Sequence, residues 1–225
     1  MSGCLAHLRY AFLVRLLRRP LHAATGLLAT VALSIVLAGC ESGGISRTVH
    51  IAERPTWTAG NSWTYRGRGP NGAYTITRKV LSEGIFEGRD CYQIEAGDAR
   101  YWYTKQLGYL ARTSGDKTVR LAAPPEDWQW PLQVGKQWSS TVTWTDKGEQ
   151  ERTFVLTGVW LVETYEEVKT PAGTFKAFKV SRREVESGAS QEFWYSPEAR
   201  GWVKIRGTNT ADGNYEEELT AYTAR

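Results

Sequence analysis

Histidine and cysteine are scarce, three of each in 225 residues, and methionine occurs once. A chain so poor in both has few thiols for disulfides and few imidazoles for metal sites or proton shuttles. It also lacks an apolar run long enough to suggest repeated membrane crossings; the longest, Gly26 to Ala38, is short of the roughly 20 residues a spanning helix needs. No blocks of like charge or low-complexity tracts mark it as disordered. Its length, with 41% hydrophobic and 23% charged residues, fits one ordinary globular domain.

Acidic residues are absent from the first 39 positions, which carry four of the 28 basic residues, Arg9, Arg15, Arg18 and Arg19. The formal net charge of +4 therefore lies entirely in that segment, and the remainder is balanced. A basic patch for nucleic acid is not implied, and no nucleic-acid partner is expected. Arginines, a short apolar core and then small residues have the layout of a secretion signal. The core ends in Leu37-Ala38-Gly39-Cys40, which resembles the lipobox of bacterial lipoproteins. The resemblance implies cleavage before Cys40 and acylation of its thiol, with residues 1–39 as signal. It also implies a lipid anchor on the membrane, and Glu41 in place of Asp after the cysteine points to the outer membrane, periplasmic side. Several buried acyl chains, at about 0.8 kcal/mol per methylene, hold such a protein on a bilayer.

After that cleavage Cys91 is the one free thiol and His50 the one imidazole. An internal disulfide, a histidine-based metal site and a Ser-His-Asp triad are excluded by inventory. Residues 40–54 read as lipidated cysteine and tether, polar and Gly-containing, with the folded domain over 55–223.

Turn dipeptides punctuate that domain: Asn71-Gly72, Gly97-Asp98, Gly115-Asp116, Lys147-Gly148, Ser187-Gly188 and Asp212-Gly213. Between them lie runs rich in Thr, Val, Tyr, Trp and Phe that alternate with period two, and no amphipathic helix follows residue 40. Motifs also recur in order. Gly60-Asn-Ser-Trp63 is echoed by Gly135-Lys-Gln-Trp138, and Trp102-Tyr-Thr with Gly108-Tyr-Leu by Trp194-Tyr-Ser with Gly201-Trp-Val. The chain thus reads as two repeats, 55–130 and 131–223, of six antiparallel strands each. The first six are expected near 61–68, 73–82, 89–96, 99–104, 109–113 and 117–122. The second six are expected near 137–145, 150–162, 174–186, 190–195, 202–208 and 214–223. About twelve strands without covering helices bury one face only by curling into a barrel or by packing as a two-sheet sandwich, so the fold class is an all-β meander. All ten tryptophans lie beyond residue 39 and are assigned by default to the core.

The strings Thr170-Pro-Ala-Gly-Thr-Phe175-Lys-Ala-Phe178, Trp194-Tyr-Ser-Pro197, Gly201-Trp-Val-Lys204 and Glu218-Leu-Thr-Ala-Tyr222 resemble uncharacterised exported bacterial β domains of unknown function. The resemblance implies a β fold and an exported location, and brings no catalytic motif.

Adjacent carboxylates such as Glu126-Asp127 and Glu166-Glu167 point to opposite faces of a strand, which argues against a shared acid-base site. No catalytic residue, metal or cofactor is assigned, and the chain is not expected to be an enzyme. Glu216-Glu217-Glu218 reads as a solvated strand that discourages edge pairing. The loop Pro124-Pro-Glu-Asp-Trp128-Gln-Trp130-Pro131 offers two indoles, Trp128 and Trp130, as candidate contacts to a ligand or partner; plugging one end of the core is the competing role. Two functions remain open: a non-catalytic structural or interaction module contacting other envelope proteins, and a binding or carrier module for an apolar ligand such as a lipid.

Overall fold

The structure, a computed structural model, describes residues 49–148, 150–210 and 213–225; the 1–39 segment and Cys40 lie outside the described residues. Fourteen strands run in order: β1 (Ile51–Ala52), β2 (Ser62–Gly69), β3 (Gly72–Phe86), β4 (Arg89–Ala96), β5 (Ala99–Thr104), β6 (Tyr109–Ser114) and β7 (Lys117–Glu126). Then follow β8 (Leu132–Gln133), β9 (Gln137–Lys147), β10 (Glu151–Thr170), β11 (Gly173–Glu184), β12 (Ser190–Ser196), β13 (Gly201–Thr210) and β14 (Gly213–Thr223).

Twelve of them form one closed antiparallel barrel, in which each strand pairs with its neighbours in sequence and β14 pairs with β2 to shut the ring. The two remaining strands, β1 and β8, pair with each other through Ile51↔Gln133 and Ala52↔Leu132. The barrel is thus the form the strand pattern takes, and the sandwich is not. Closure removes every edge from the main sheet, so no strand there needs the edge protection expected of the Glu216–Glu218 run.

The chain enters the folded unit earlier than Pro55. Ala52 is 3% exposed, packed in the core beside fully buried Leu132, and the β1–β8 ladder ties it there. Strand β10 is also longer than the 150–162 expected. Nothing in Glu163-Thr-Tyr-Glu-Glu-Val-Lys169 offers a turn, and pairing with β11 continues past a bulge at Val162/Thr164 to the hairpin at Pro171-Ala172.

Corresponding devices recur in the two halves. Trp63 and Trp138 are each the second residue of their half's first barrel strand. Before each strand a glycine with positive φ, Gly60 at 92° and Gly135 at 89°, lets the chain fold back so that its N–H bonds the carbonyl of a buried valine, Val80 at 2.9 Å or Val162 at 2.8 Å. The valine N–H returns the bond to Asn61 or Lys136. Bulges fall at matching places, Val80/Ser82 with Val162/Thr164 and Trp102/Tyr103 with Trp194/Tyr195.

Register fixes which side chains face inward. Trp138 and Trp160 are opposite one another and stack at 5.3 Å, while Phe193 lies 5.3 Å from Trp128, so this phase of β9, β10 and β12 looks into the barrel. Trp194, between Phe193 and Tyr195, therefore looks outward, as Trp102 does between Tyr101 and Tyr103. Both depart from the expectation that the rings fill the interior, and each is shielded by a cover on the outer wall.

Candidate functional site

The two ends of the barrel differ. One gathers the segments before β2 and β9, the β5–β6 and β12–β13 turns and the C-terminus; the other carries the hairpins at 69–72, 114–117 and 147–151. The first end is plugged by aromatics from loops. Trp57, 1% exposed, meets Trp63 at 5.0 Å, Tyr92 at 5.6 Å, Trp202 at 5.7 Å and Tyr103 at 6.2 Å. Its indole N–H donates to the Arg200 carbonyl at 2.7 Å, and that of Trp63 to the Ala199 carbonyl at 2.8 Å, which locks the β12–β13 turn onto the plug.

The two indoles singled out in the Pro124–Pro131 loop come together here, their rings 6.1 Å apart, but their settings differ. Trp128 is 6% exposed and wedged among Trp160, Phe193 and Trp202. It fills the core and presents no face to a ligand. Trp130 is half-buried, packed edge-on to Tyr195 at 4.9 Å, with its N–H donating to the Gln106 carbonyl at 3.0 Å. The loop is clamped by Asp127, which accepts from the Thr104 hydroxyl at 2.5 Å. Burial raises the Asp127 carboxyl above its ordinary pKa, and the Thr104 hydrogen bond offsets this only in part.

Beneath the plug the interior holds two ionic clusters; their acids Glu126 and Glu217 were noted in the sequence without their cationic partners, and Glu217, expected on a solvated strand, is buried because that strand closes the barrel. Glu217, 4% exposed, receives both nitrogens of the Arg78 fork at 2.7 and 3.0 Å and the Tyr74 hydroxyl at 3.0 Å. Arg78 lies over the Tyr65 ring at 4.7 Å. Burial opposes the charge on Arg78, but Glu217 outweighs it and holds the guanidinium firmly protonated. Burial likewise pushes the Tyr103 hydroxyl up to about 12. In the second cluster Arg182, 3% exposed, donates to Glu126 at 2.6 Å and Glu184 at 2.7 Å while facing Trp160. Burial raises the Glu126 carboxyl, and Arg182 opposes that shift without cancelling it.

A phase signal could have found these groups. Arg78 sits two residues from both Ile76 and Val80, and Glu217 two from both Tyr215 and Leu219, so each shares the face of core residues. The separation of Glu126 from Asp127 agrees with strand alternation: one meets Arg182 and the other Thr104. Among the described residues no group of three or more His, Cys, Asp or Glu is placed to hold a metal ion. The His50 ring lies 4.3 Å from that of Tyr165, tilted by 32°, beside an open cleft of about 540 Å³ that Gln133 and Glu163 also line, next to the β1–β8 pair. Every acid of the two inner clusters is engaged by a cation. The plugged end is thus closed by ring packing, with the described acids of the two inner clusters held in ion pairs beneath it.

No protein-family model matches the chain, and no curated protein matches it. Among solved structures it is similar to a Bacteroides fragilis protein described as exported and of YmcC-like fold, at 14% identity and TM-score 0.48, over 76% of this chain and 99% of that one. It is also similar to the hypothetical lipoprotein YmcC of Escherichia coli K12, at 12% identity and TM-score 0.45, covering 76% and 90%. A third similarity, to a Parabacteroides distasonis protein described as a lipoprotein, has 12% identity and TM-score 0.37, covering 76% and 99%.

Proposed function

We propose that this is a lipid-anchored protein of the bacterial envelope, held through Cys40 at the periplasmic face of the outer membrane, whose barrel is a non-catalytic structural or interaction module. The observation that carries the anchor is Leu37-Ala38-Gly39-Cys40 directly after a basic and then apolar segment. The interior supports the non-catalytic part: its buried acids are matched by Arg78 and Arg182, and its plug is made of closely packed indoles. The same reading takes the domain as two six-strand units, supported by the matched glycine clasps and bulges. The aromatic packing favours the interaction module over an apolar carrier, because Trp57 and Trp128 occupy space a lipid chain would need.

Replacing Cys40 with Ala tests the anchor. The expected result is loss of the protein from the membrane fraction, together with an intact mass for the membrane-extracted wild type that includes acyl chains on Cys40. A wild-type Cys40 without added mass overturns it.

A further inference from the structure

We propose that β10 pairs edge to edge with β10 of a second copy of this chain, antiparallel about Thr153. The ring itself is closed, but the β9–β10 hairpin projects beyond the strand on its other flank. Strand β10 pairs with β9 from Glu151 onward, whereas its pairing with β11 begins only at Gly158. Residues 151–157 therefore have a strand on one side and, among the described residues, none on the other.

Backbone direction along this stretch is set by its upper end. Val162 exchanges hydrogen bonds with Gly135 and Lys136 on the β9 side, so by alternation Trp160, Gly158, Leu156 and Phe154 also point to β9. Thr157 points the other way: its carbonyl accepts from the Val185 N–H at 2.9 Å, and its own N–H donates to the Glu186 carboxylate at 2.8 and 3.0 Å. Glu186 stands where the carbonyl of a further strand would be, and the ladder ends there. Glu151, Thr153 and Val155 share the phase of Thr157 and turn their N–H and C=O groups to the vacant side.

Side chains decide what can cover this edge. The outward positions of β10 from Thr153 to Leu161, and those of β9 from Ser139 to Thr145, are Ser, Thr, Val and Leu, with no charge among them. Val155, Val159 and Val185 keep 52%, 48% and 62% of their surface exposed. Free edges are commonly blunted by Lys or another charge, whereas the centres of interfaces are depleted of charge. The other overhanging strand shows that protection: β3 outruns β4 over 72–77, but exposed Arg66 and Arg68 lie beside its edge, opposite Thr75 and Ala73. From Thr153 to Thr157 the outer face of β10 has no such guard.

The register selects a second copy as the occupant. Thr153 is the middle of the three free residues, so an antiparallel pairing that uses all three sets it opposite its own counterpart, on a two-fold axis. Glu151 then meets Val155 of the other copy, and Arg152 meets the exposed ring of Phe154. No charge faces its like, and a guanidinium lies against an aromatic face. The edge is complementary to itself, while a charged segment of another protein finds no countercharge on the outward side chains from Thr153 to Thr157. Nothing in the pairing involves Cys40, so it stands apart from the lipid anchor.

The test is disulfide trapping in cells that express the full chain, read in whichever cell fraction holds the protein, so that a failure of the anchor leaves the outcome intact. Cα atoms of a hydrogen-bonded antiparallel pair lie about 5.5 Å apart, within disulfide reach, so mild oxidation of Thr153→Cys should give at least about tenfold more covalent dimer than Thr141→Cys, an exposed outward site one strand away on β9. Adding Val155→Pro to Thr153→Cys should remove the dimer, because that N–H serves no bond to β9 and the proline blocks only the vacant side. Where Val155→Pro lowers the melting temperature, Thr153→Lys takes its place: like charges on the axis should leave a monomer, where light scattering of the detergent-extracted wild type reports a dimer. Dimer no more abundant from Thr153→Cys than from Thr141→Cys overturns the proposal, as does a dimer that persists in folded Val155→Pro protein. An adduct of Thr153→Cys with a different protein, in place of the dimer, also overturns it and assigns the edge to an extended segment of that protein.

Discussion

The two halves of the barrel place an indole at the same point of the same strand and cover it in opposite ways. Trp102 on β5 lies outward in an apolar patch, stacked on Phe86 at 4.8 Å among Cys91, Leu110 and Leu121, and its N–H has no partner. Trp194 on β12 is 6% exposed beneath a lattice of charge. Lys179, Lys204 and Arg206 lie 5.6, 5.8 and 5.7 Å from its ring, and its N–H donates to Glu166 at 2.8 Å. Lys179 in turn bridges Glu163 and Glu192, each at 2.7 Å. A tryptophan on an outer wall is therefore shielded either by apolar neighbours or by the alkyl stems of paired ions. The position dictates the ring, and the neighbouring strands choose the cover.

The largest expected effect breaks the correspondence at the plug. Trp57 and Leu132 both stand three residues before the clasp glycine, but Trp57 has four ring partners and ties the β12–β13 turn through Arg200. Trp57→Ala should destabilise the protein by about 3–5 kcal/mol, toward the top of the range for buried aromatics, measured by urea unfolding. Leu132→Ala should cost less; an equal or larger loss would mean that the two segments seal the barrel alike.

A smaller effect separates the two covers. Trp194→Phe removes a hydrogen bond to a charged acceptor and should cost about 1–2 kcal/mol, more at low salt than at high. Trp102→Phe removes a donor that is already unpartnered and should be near neutral. Thermal melts of the two variants at two salt concentrations check this, and matching losses would refute the distinction.

The smallest effect concerns acid. Burial works against the charges on Glu163 and Glu192, but hydrogen bonds from Lys179 to both, with Arg206 adding to Glu192, hold both carboxyls below the ordinary range. Their contribution is fully present above the ordinary carboxylate pKa of about 4.5 and is lost as pH falls through the lowered values. The double variant Glu163→Gln with Glu192→Gln should therefore show a shallower decline in stability below about pH 4.5 than wild type. The Trp102 patch contains no carboxylate, so Trp102→Phe should leave that slope unchanged.

Local chemistry made most of the strands legible. Asn71-Gly72, Gly97-Asp98 and Ser187-Gly188 mark hairpins, and β4 and β5 fall on the residues that alternation assigns to them. Closure was not legible, because pairing Ser62–Arg68 with Glu216–Thr223 joins segments about 150 residues apart and leaves no local signature. Without closure, Glu216-Glu217-Glu218 looks like one wet strand. With it, Glu217 is sealed against Arg78 while Glu216 and Glu218 reach Lys204 at 2.7 and 3.2 Å. Trp128 shows the same limit: a Pro-rich loop can be located from composition, but whether it bends into a barrel depends on the space the other strands leave.

The β2–β14 seam also orders events in time. Ten ladders of the barrel join consecutive strands and can form as hairpins while the chain is being made, and an eleventh, β7 with β9, spans only the short segment that holds β8. The twelfth waits for β14, when the loop to be closed is longest and its entropic cost greatest. Until then β2 and whichever strand has just formed are open edges able to pair with another molecule. The interval before β14 arrives is the barrel's period of greatest exposure to misassembly, and a deletion of β14 makes it permanent.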